Sequence, residues 1–96
     1  MLSYDKLSPD EITAALAKVP GWGLVDGALT RTFGFDSYKK GLDFALRVGH
    51  TAEELNHHPD ILISYKRVVV SMVTHDAGNG LTSYDFELAR RIGDLN

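Results

Sequence analysis

Trp22-Gly23-Leu24-Val25-Asp26-Gly27-Ala28-Leu29-Thr30-Arg31-Thr32-Phe33-Gly34-Phe35 is the stretch on which the fold turns. Two short extended runs flank Asp26-Gly27, and both residues of that pair tolerate the positive φ of a type I′ turn, so the segment reads as a β-hairpin. In its second strand Leu29, Arg31, Phe33 and Phe35 fall on one face and Ala28, Thr30, Thr32 and Gly34 on the other. The first face carries the bulk, with Arg31 as its misfit.

Helical patterns lie on both sides of the hairpin. Upstream, Ser8-Pro9-Asp10-Glu11 supplies an N-cap, a proline at the first helical position and the glutamate of a capping box. Leu7 and Ile12 suit a hydrophobic staple, and Ile12, Ala15, Leu16 and Val19 repeat at helical spacing until Pro20-Gly21 stops them. Downstream, Asp36 is placed to cap a long helix running to about Asn56. There Leu42, Ala45, Leu46, Gly49 and Ala52 form one stripe and Phe44, Val48 and Leu55 a second, while Gly41, Ala45, Gly49 and Ala52 permit close backbone contact. So broad a face suits packing on a sheet and also self-association.

Pro59 disfavours helical geometry at His58, so the helix ends at or just before His57-His58. Ile61 to Tyr65 and Val68 to His75 are rich in β-branched residues and read as strands, followed by a loop over Asp76-Ala77-Gly78-Asn79-Gly80. Thr82-Ser83-Tyr84-Asp85 is a second capping box, with Leu81 and Phe86 as its staple, and the last helix turns Phe86, Leu88, Ala89, Ile92 and Leu95 inward. The order α-β-β-α-β-β-α, with no repeat and no long linker, predicts one α+β domain over residues 1–96. Its expected form is a four-stranded antiparallel sheet with three helices on one face.

The composition, 44% hydrophobic and 24% charged over 96 residues, is that of an ordinary globular chain. A net charge of −3, with no basic cluster longer than Lys39-Lys40, Lys66-Arg67 or Arg90-Arg91, argues against a nucleic-acid or anionic-membrane partner. The absence of cysteine excludes disulfides, thiolate zinc sites, iron–sulfur clusters and a cysteine nucleophile. Met1 to Lys6 shows no basic region followed by an apolar run, and no span approaches the ~20 apolar residues of a membrane helix. A reducing, cytoplasmic setting is the expectation.

Three of the four histidines sit in Glu53-Glu54-Leu55-Asn56-His57-His58-Pro59 and Thr74-His75-Asp76. An imidazole, with an unperturbed pKa of ~6.5, exchanges protons at neutral pH, so convergence of the three would point to proton-transfer chemistry. A two-residue Lys66-Arg67 turn would set Tyr65 opposite Val68, Leu62 opposite Ser71 and finally His58 opposite His75, with Cβ atoms ~4.5–5.5 Å apart. Glu53, four residues before His57, is placed to hold that ring in one tautomer. His57 and His58 diverge and would grip two edges of a flat ligand.

Each residue also has a plainer role: a polar helix terminus for the paired histidines, solvent for His75, a surface charge for Glu53, and for Asp85 only the cap of its helix. His50 has no neighbours of this kind. A three-histidine zinc site would draw on the same residues, but adjacent ligands diverge and no His-x-x-x-His spacing occurs, so neither metal nor cofactor is expected. No nucleophile elbow is present, and Gly78-Asn79-Gly80 is too short for a phosphate cradle.

Taken together, the spaced residues resemble the pterin-4a-carbinolamine dehydratases. The pattern is Trp22, then Glu53, three residues, His57-His58-Pro59, five residues, Tyr65, nine residues, His75 and, after nine more, Asp85. It covers most of the chain, with one departure: the loop from His75 to Asp85 is a residue longer, around Asn79, than in the shorter members. The resemblance implies a hydro-lyase that dehydrates 4a-hydroxytetrahydropterin to the quinonoid dihydropterin, in tetrahydrobiopterin recycling for aromatic amino acid hydroxylases.

By the same resemblance His57 and His75 share acid and base work, and Glu53 positions His57. His58 binds and orients the pterin, Trp22 walls the pocket, and Pro59, Thr74 and Asp76 belong to its lining. It further implies a homodimer or homotetramer built through sheet edges and helices. Two other readings use the same fold: a non-catalytic dimerisation or coactivator module, since some animal relatives bind a homeodomain transcription factor, and a pterin-binding protein of another pathway such as molybdenum-cofactor metabolism. The joint presence of Glu53, His57, His58 and His75 favours the enzyme.

Overall fold

In the computed structural model, which describes residues 1–96, Asp26 (φ 50°) and Gly27 (φ 81°) take the left-handed geometry that a type I′ turn requires. They join β1 (Gly23–Val25) to β2 (Ala28–Gly34), with Val25 opposite Ala28 and Gly23 opposite Thr30. β2 continues into an antiparallel pairing with β4 (Arg67–Met72), which pairs in turn with β3 (Asp60–Ser64), giving the order β1-β2-β4-β3. Three helices, α1 (Pro9–Leu16), α2 (Tyr38–Leu55) and α3 (Ser83–Gly93), complete the expected α+β architecture.

The core follows from the pleat. Leu29 and Phe33 on β2 and Val68, Val70 and Met72 on β4 point to one face and are buried under the helices. On the open face the hydroxyls of Thr30 and Ser71, opposite each other across the strands, lie 3.1 Å apart. Both capping boxes form: Glu11 N donates to Ser8 Oγ (3.2 Å) and Ser8 N to Glu11 Oε1 (2.9 Å), and Thr82 and Asp85 repeat the exchange at α3. Caps of this kind contribute ~1 kcal/mol each.

Four expectations are corrected. Ser37, not Asp36, caps α2, because its side chain accepts from Lys40 N while Asp36 pairs with Lys40 Nζ in solvent. The buried face of α2 is Gly41, Phe44, Ala45, Val48 and Ala52. Phe44 packs at a tilt against Phe33 and Phe35, with ring centroids 4.6 and 5.2 Å away, and so sets the helix rotation; Leu42 and Leu46 are left outside.

The second hairpin turns at Tyr65-Lys66, not Lys66-Arg67, so Ser64 faces Arg67 and Asp60 faces Ser71. Neither turn residue has a positive φ, so the turn makes no demand for Gly or Asn. Lastly, β4 ends at Met72 and does not reach His75. Thr74 N bonds to Gly80 O (2.8 Å), folding the chain back on itself as a 3-10 turn over His75–Ala77.

At the far end of α3, Glu87 Oε2 lies 2.7 Å from Arg91 Nε and 2.9 Å from Arg90 Nη2, and hydrogen bonds from these guanidiniums hold its carboxyl down to about 2 from an ordinary 4.5. The stabilisation is present above pH 4.5 and is lost as the pH falls toward 2. Because Arg90 is mostly exposed, its magnitude is modest. Glu87→Gln is expected to lower unfolding stability by about 0.5–1 kcal/mol at pH 7 in urea titrations, with the gap to the wild type closing between pH 4.5 and 2. A gap independent of pH would contradict it.

Candidate active site

The site begins where α2 ends. Asn56 takes the left-handed conformation (φ 52°, ψ 43°), and the N–H groups of Asn56 and His57 both reach back to the Ala52 carbonyl, closing the helix as a Schellman-type cap does. This turn takes His57 off the helical face that holds Glu53. The expected Glu53–His57 pair therefore does not form; the Glu53 carboxylate instead bonds His58 Nε2 at the solvent edge.

His57 points inward and is buried. Its Nε2 lies 2.6 Å from Asp85 Oδ1, and Asp85 is itself inaccessible to solvent. The other carboxylate oxygen accepts from the Thr82 backbone N–H (2.9 Å) and from the Thr74 hydroxyl (2.7 Å). Thr74 Oγ1 lies 2.8 Å from Thr82 Oγ1, so with its own proton given to Asp85 it accepts from Thr82. An ionised carboxylate only accepts, so His57 presents Nε2–H to Asp85 and no protein group engages its Nδ1. Asp85 is thus a cap, as expected, and also the group that orients His57, a link 28 residues apart in the chain.

His75 opens the 3-10 turn and is exposed. Its Nδ1 lies 2.8 Å from the amide oxygen of Asn79, a residue with φ 65°, which leaves Nε2 free. All three histidines line one open cleft of about 290 Å³, together with Tyr4, Asn56, Val73, Thr74 and Asp76. Tyr84, whose ring centroid is 5.8 Å from that of His57, stacks on Tyr4 at 4.3 Å. Partial burial, then Tyr84 and Asp76, raise the Tyr4 phenol above its ordinary value. A larger concavity of about 500 Å³ between α1, α3 and the N-terminal segment contains none of these histidines.

The remaining candidates divide. Thr74 and Asp76 reach the cleft, although the Thr74 hydroxyl is already committed to Asp85. Pro59 is not part of its lining. Trp22 is not either: it is a core residue, edge-on to Phe33 at 6.1 Å, and it borders a separate depression. His50 is exposed on α2 away from the cleft. No three His, Asp or Glu side chains are disposed to hold a metal ion. Tyr4 and Asn56 gave no signal in the sequence, because neither the N-terminal approach nor a left-handed asparagine shows in hydrophobic periodicity.

The model of the Pterin 4 alpha carbinolamine dehydratase family matches residues 5–95. The chain belongs to this family. A relative from Sulfurisphaera tokodaii is 42% identical over 94% of this chain and 96% of its own, and one from a Picosynechococcus species is 45% identical over 94% and 97%. Both carry the name pterin-4-alpha-carbinolamine dehydratase provisionally. A crystal structure from Brucella melitensis, described as a transcriptional coactivator/pterin dehydratase, superposes with a TM-score of 0.88 at 34% identity, covering 95% of this chain and 98% of the other. In this dehydratase-family chain both histidine-bearing segments and Asp85 fall within the matched residues.

The hydrogen bonds fix the tautomers. Long-range ¹H–¹⁵N spectra of histidine-labelled protein above neutral pH are expected to show His57 as the Nε2–H form and His75 as the Nδ1–H form. Asp85→Asn, whose amide can donate to Nε2, should invert His57 alone. An unchanged His57 pattern in that variant would contradict the pairing.

Proposed function

We propose that this protein dehydrates a 4a-hydroxytetrahydropterin to the quinonoid dihydropterin. The observation that carries the proposal is that His57, His58 and His75 open on a single cleft, each with one ring nitrogen held by a carboxylate or amide and the other unengaged by the protein. Family membership supports the substrate class. The cleft volume, about 290 Å³, lies near the small end of ligand sites (~300–1,000 Å³) and suits a bicyclic ring with its substituent in solvent.

In the proposed reaction one imidazolium protonates the C4a hydroxyl, the C–O bond breaks and water leaves. The N5 lone pair forms the C=N bond, and a ring N–H proton passes to a second imidazole. Substrate and products differ by one water, and no oxidant or reductant is needed. His57 and His75 divide the proton transfers, each worth ~10²–10⁴-fold. Asp85 orients His57 and Asn79 orients His75. His58, held by Glu53, binds the ring; Glu53 therefore acts through His58 and not through His57.

The test is dehydration of a 4a-hydroxypterin generated in situ. His57→Ala combined with His75→Ala is expected to reduce the rate to the uncatalysed background with an unchanged far-UV circular dichroism spectrum. Equal rates in the two proteins would overturn the assignment.

We also propose that a second copy of the chain covers the apolar residues the fold leaves outside. Leu46 on α2 and Leu62 on the open edge strand β3 are 62% and 60% exposed, and an unpaired apolar edge invites another strand. Light scattering after size exclusion is expected to give at least twice the 10.6 kDa chain mass, falling on Leu46→Glu or Leu62→Lys. A monomeric wild type at micromolar concentration would contradict it.

A further inference from the structure

Arg31, the misfit of the core-facing side of β2, is unused by the histidine cleft and has no carboxylate within ion-pair distance. Its guanidinium is held in place all the same. The Cζ atom lies 4.5 Å from the centroid of the Phe33 ring, and Nη1 donates a long hydrogen bond to the Pro20 carbonyl (3.4 Å). Gly21, at φ 92°, passes so near that a Cβ there would come within 2.8 Å of Cζ; Gly93 flanks the other side, where a Cβ would lie 3.7 Å from Nη1. The cradle fixes the plane of the group yet supplies one of the acceptors its five N–H donors could use.

The guanidinium lines a depression of about 190 Å³ between the Pro20-Gly21 turn and the end of α3. Lys18, which has no ion-pair partner, and Arg90 line it as well. Arg90 is already engaged by Glu87 (2.9 Å) and by Asp94 (3.2 Å), and neither carboxylate pairs with Arg31. In a chain of net charge −3 this is a local excess of cations around a half-buried guanidinium with donors to spare. A planar fork of donors matches the oxygens of phosphate or carboxylate, and additional cations favour the more highly charged of the two.

We propose that this depression is a binding site for a phosphate group, free or carried as a monoester on a small molecule, separate from the histidine cleft. Arg31 supplies the paired donors and Lys18 the additional charge. The site carries its own reporter, because the single tryptophan, Trp22, is part of its wall.

Trp22 fluorescence is titrated with inorganic phosphate, glycerol phosphate, acetate and chloride at fixed ionic strength. Saturable changes are expected with both phosphates and not with acetate or chloride, and the relative affinity of the two phosphates separates a free-anion site from one that also takes a monoester. Arg31→Gln is expected to weaken the response about tenfold or more, and Lys18→Gln to weaken it less. Phosphate should also raise the thermal midpoint of the wild type more than that of Arg31→Gln, a comparison that cancels the general stabilising effect of phosphate on proteins. Carbinolamine dehydration should be the same in Arg31→Gln and wild type.

Absence of a saturable change up to about 20 mM phosphate, or an equal response in Lys18→Gln and wild type together with no loss in Arg31→Gln, would overturn the proposal. Should Arg31→Gln fail to fold, an undiminished response in Lys18→Gln would do so alone.

Discussion

The buried carboxylate of Asp85 is the constraint on which the rest of this structure depends. It accepts at once from the N-terminal N–H of α3 at Thr82, from the hydroxyl of Thr74 just past β4, and from His57 just past α2. A fully buried carboxylate is tolerable only with such a set of donors. Its place in the first turn of α3 adds a favourable interaction with the helix dipole. Because three elements meet at one anion, the position of the His57 ring is set by the same contacts that hold the fold together.

The second histidine is positioned by a different device. The bridge between Thr74 and Gly80 closes a short loop, the left-handed residues Gly78 and Asn79 bend it, and Asn79 fastens the His75 ring. His57 is therefore rigid and shielded, whereas His75 and His58 stand at the mouth. That asymmetry suits the proposed dehydration, in which a flat ring enters and leaves with a water. The Thr74 hydroxyl is spent on Asp85, and that of Thr82 on Thr74 and the Tyr84 N–H, so neither competes for the His57 ring.

Much of this was legible from local chemistry. Asp-Gly between extended runs, two Ser/Thr-x-x-acid boxes and a proline after a histidine pair each act over a few residues, and each gave the element the structure contains. The failures came where a local rule was extended past its range. Glu53 and His57 are one helical turn apart only while the helix continues, and Asn56 ends it. A turn placed at Lys66-Arg67 instead of Tyr65-Lys66 slips the pairing by two residues; the histidines still share a cleft because both segments emerge at the same end of the sheet. The resemblance implies a pocket wall for Trp22, yet its side chain joins the core beside Phe33. The bond from Asp85 to His57 spans 28 residues and has no local signature; only the packing of α3 against α2 creates it.

In the proposed function His57, His58 and His75 act on one ligand in one place, and a titration of the four histidine ring resonances with an unreactive dihydropterin tests this. His57, His58 and His75 are expected to shift along a common saturation curve while His50, exposed on α2, stays still. Resonances of His57 and His75 that do not move, or that move at different ligand concentrations, would contradict it.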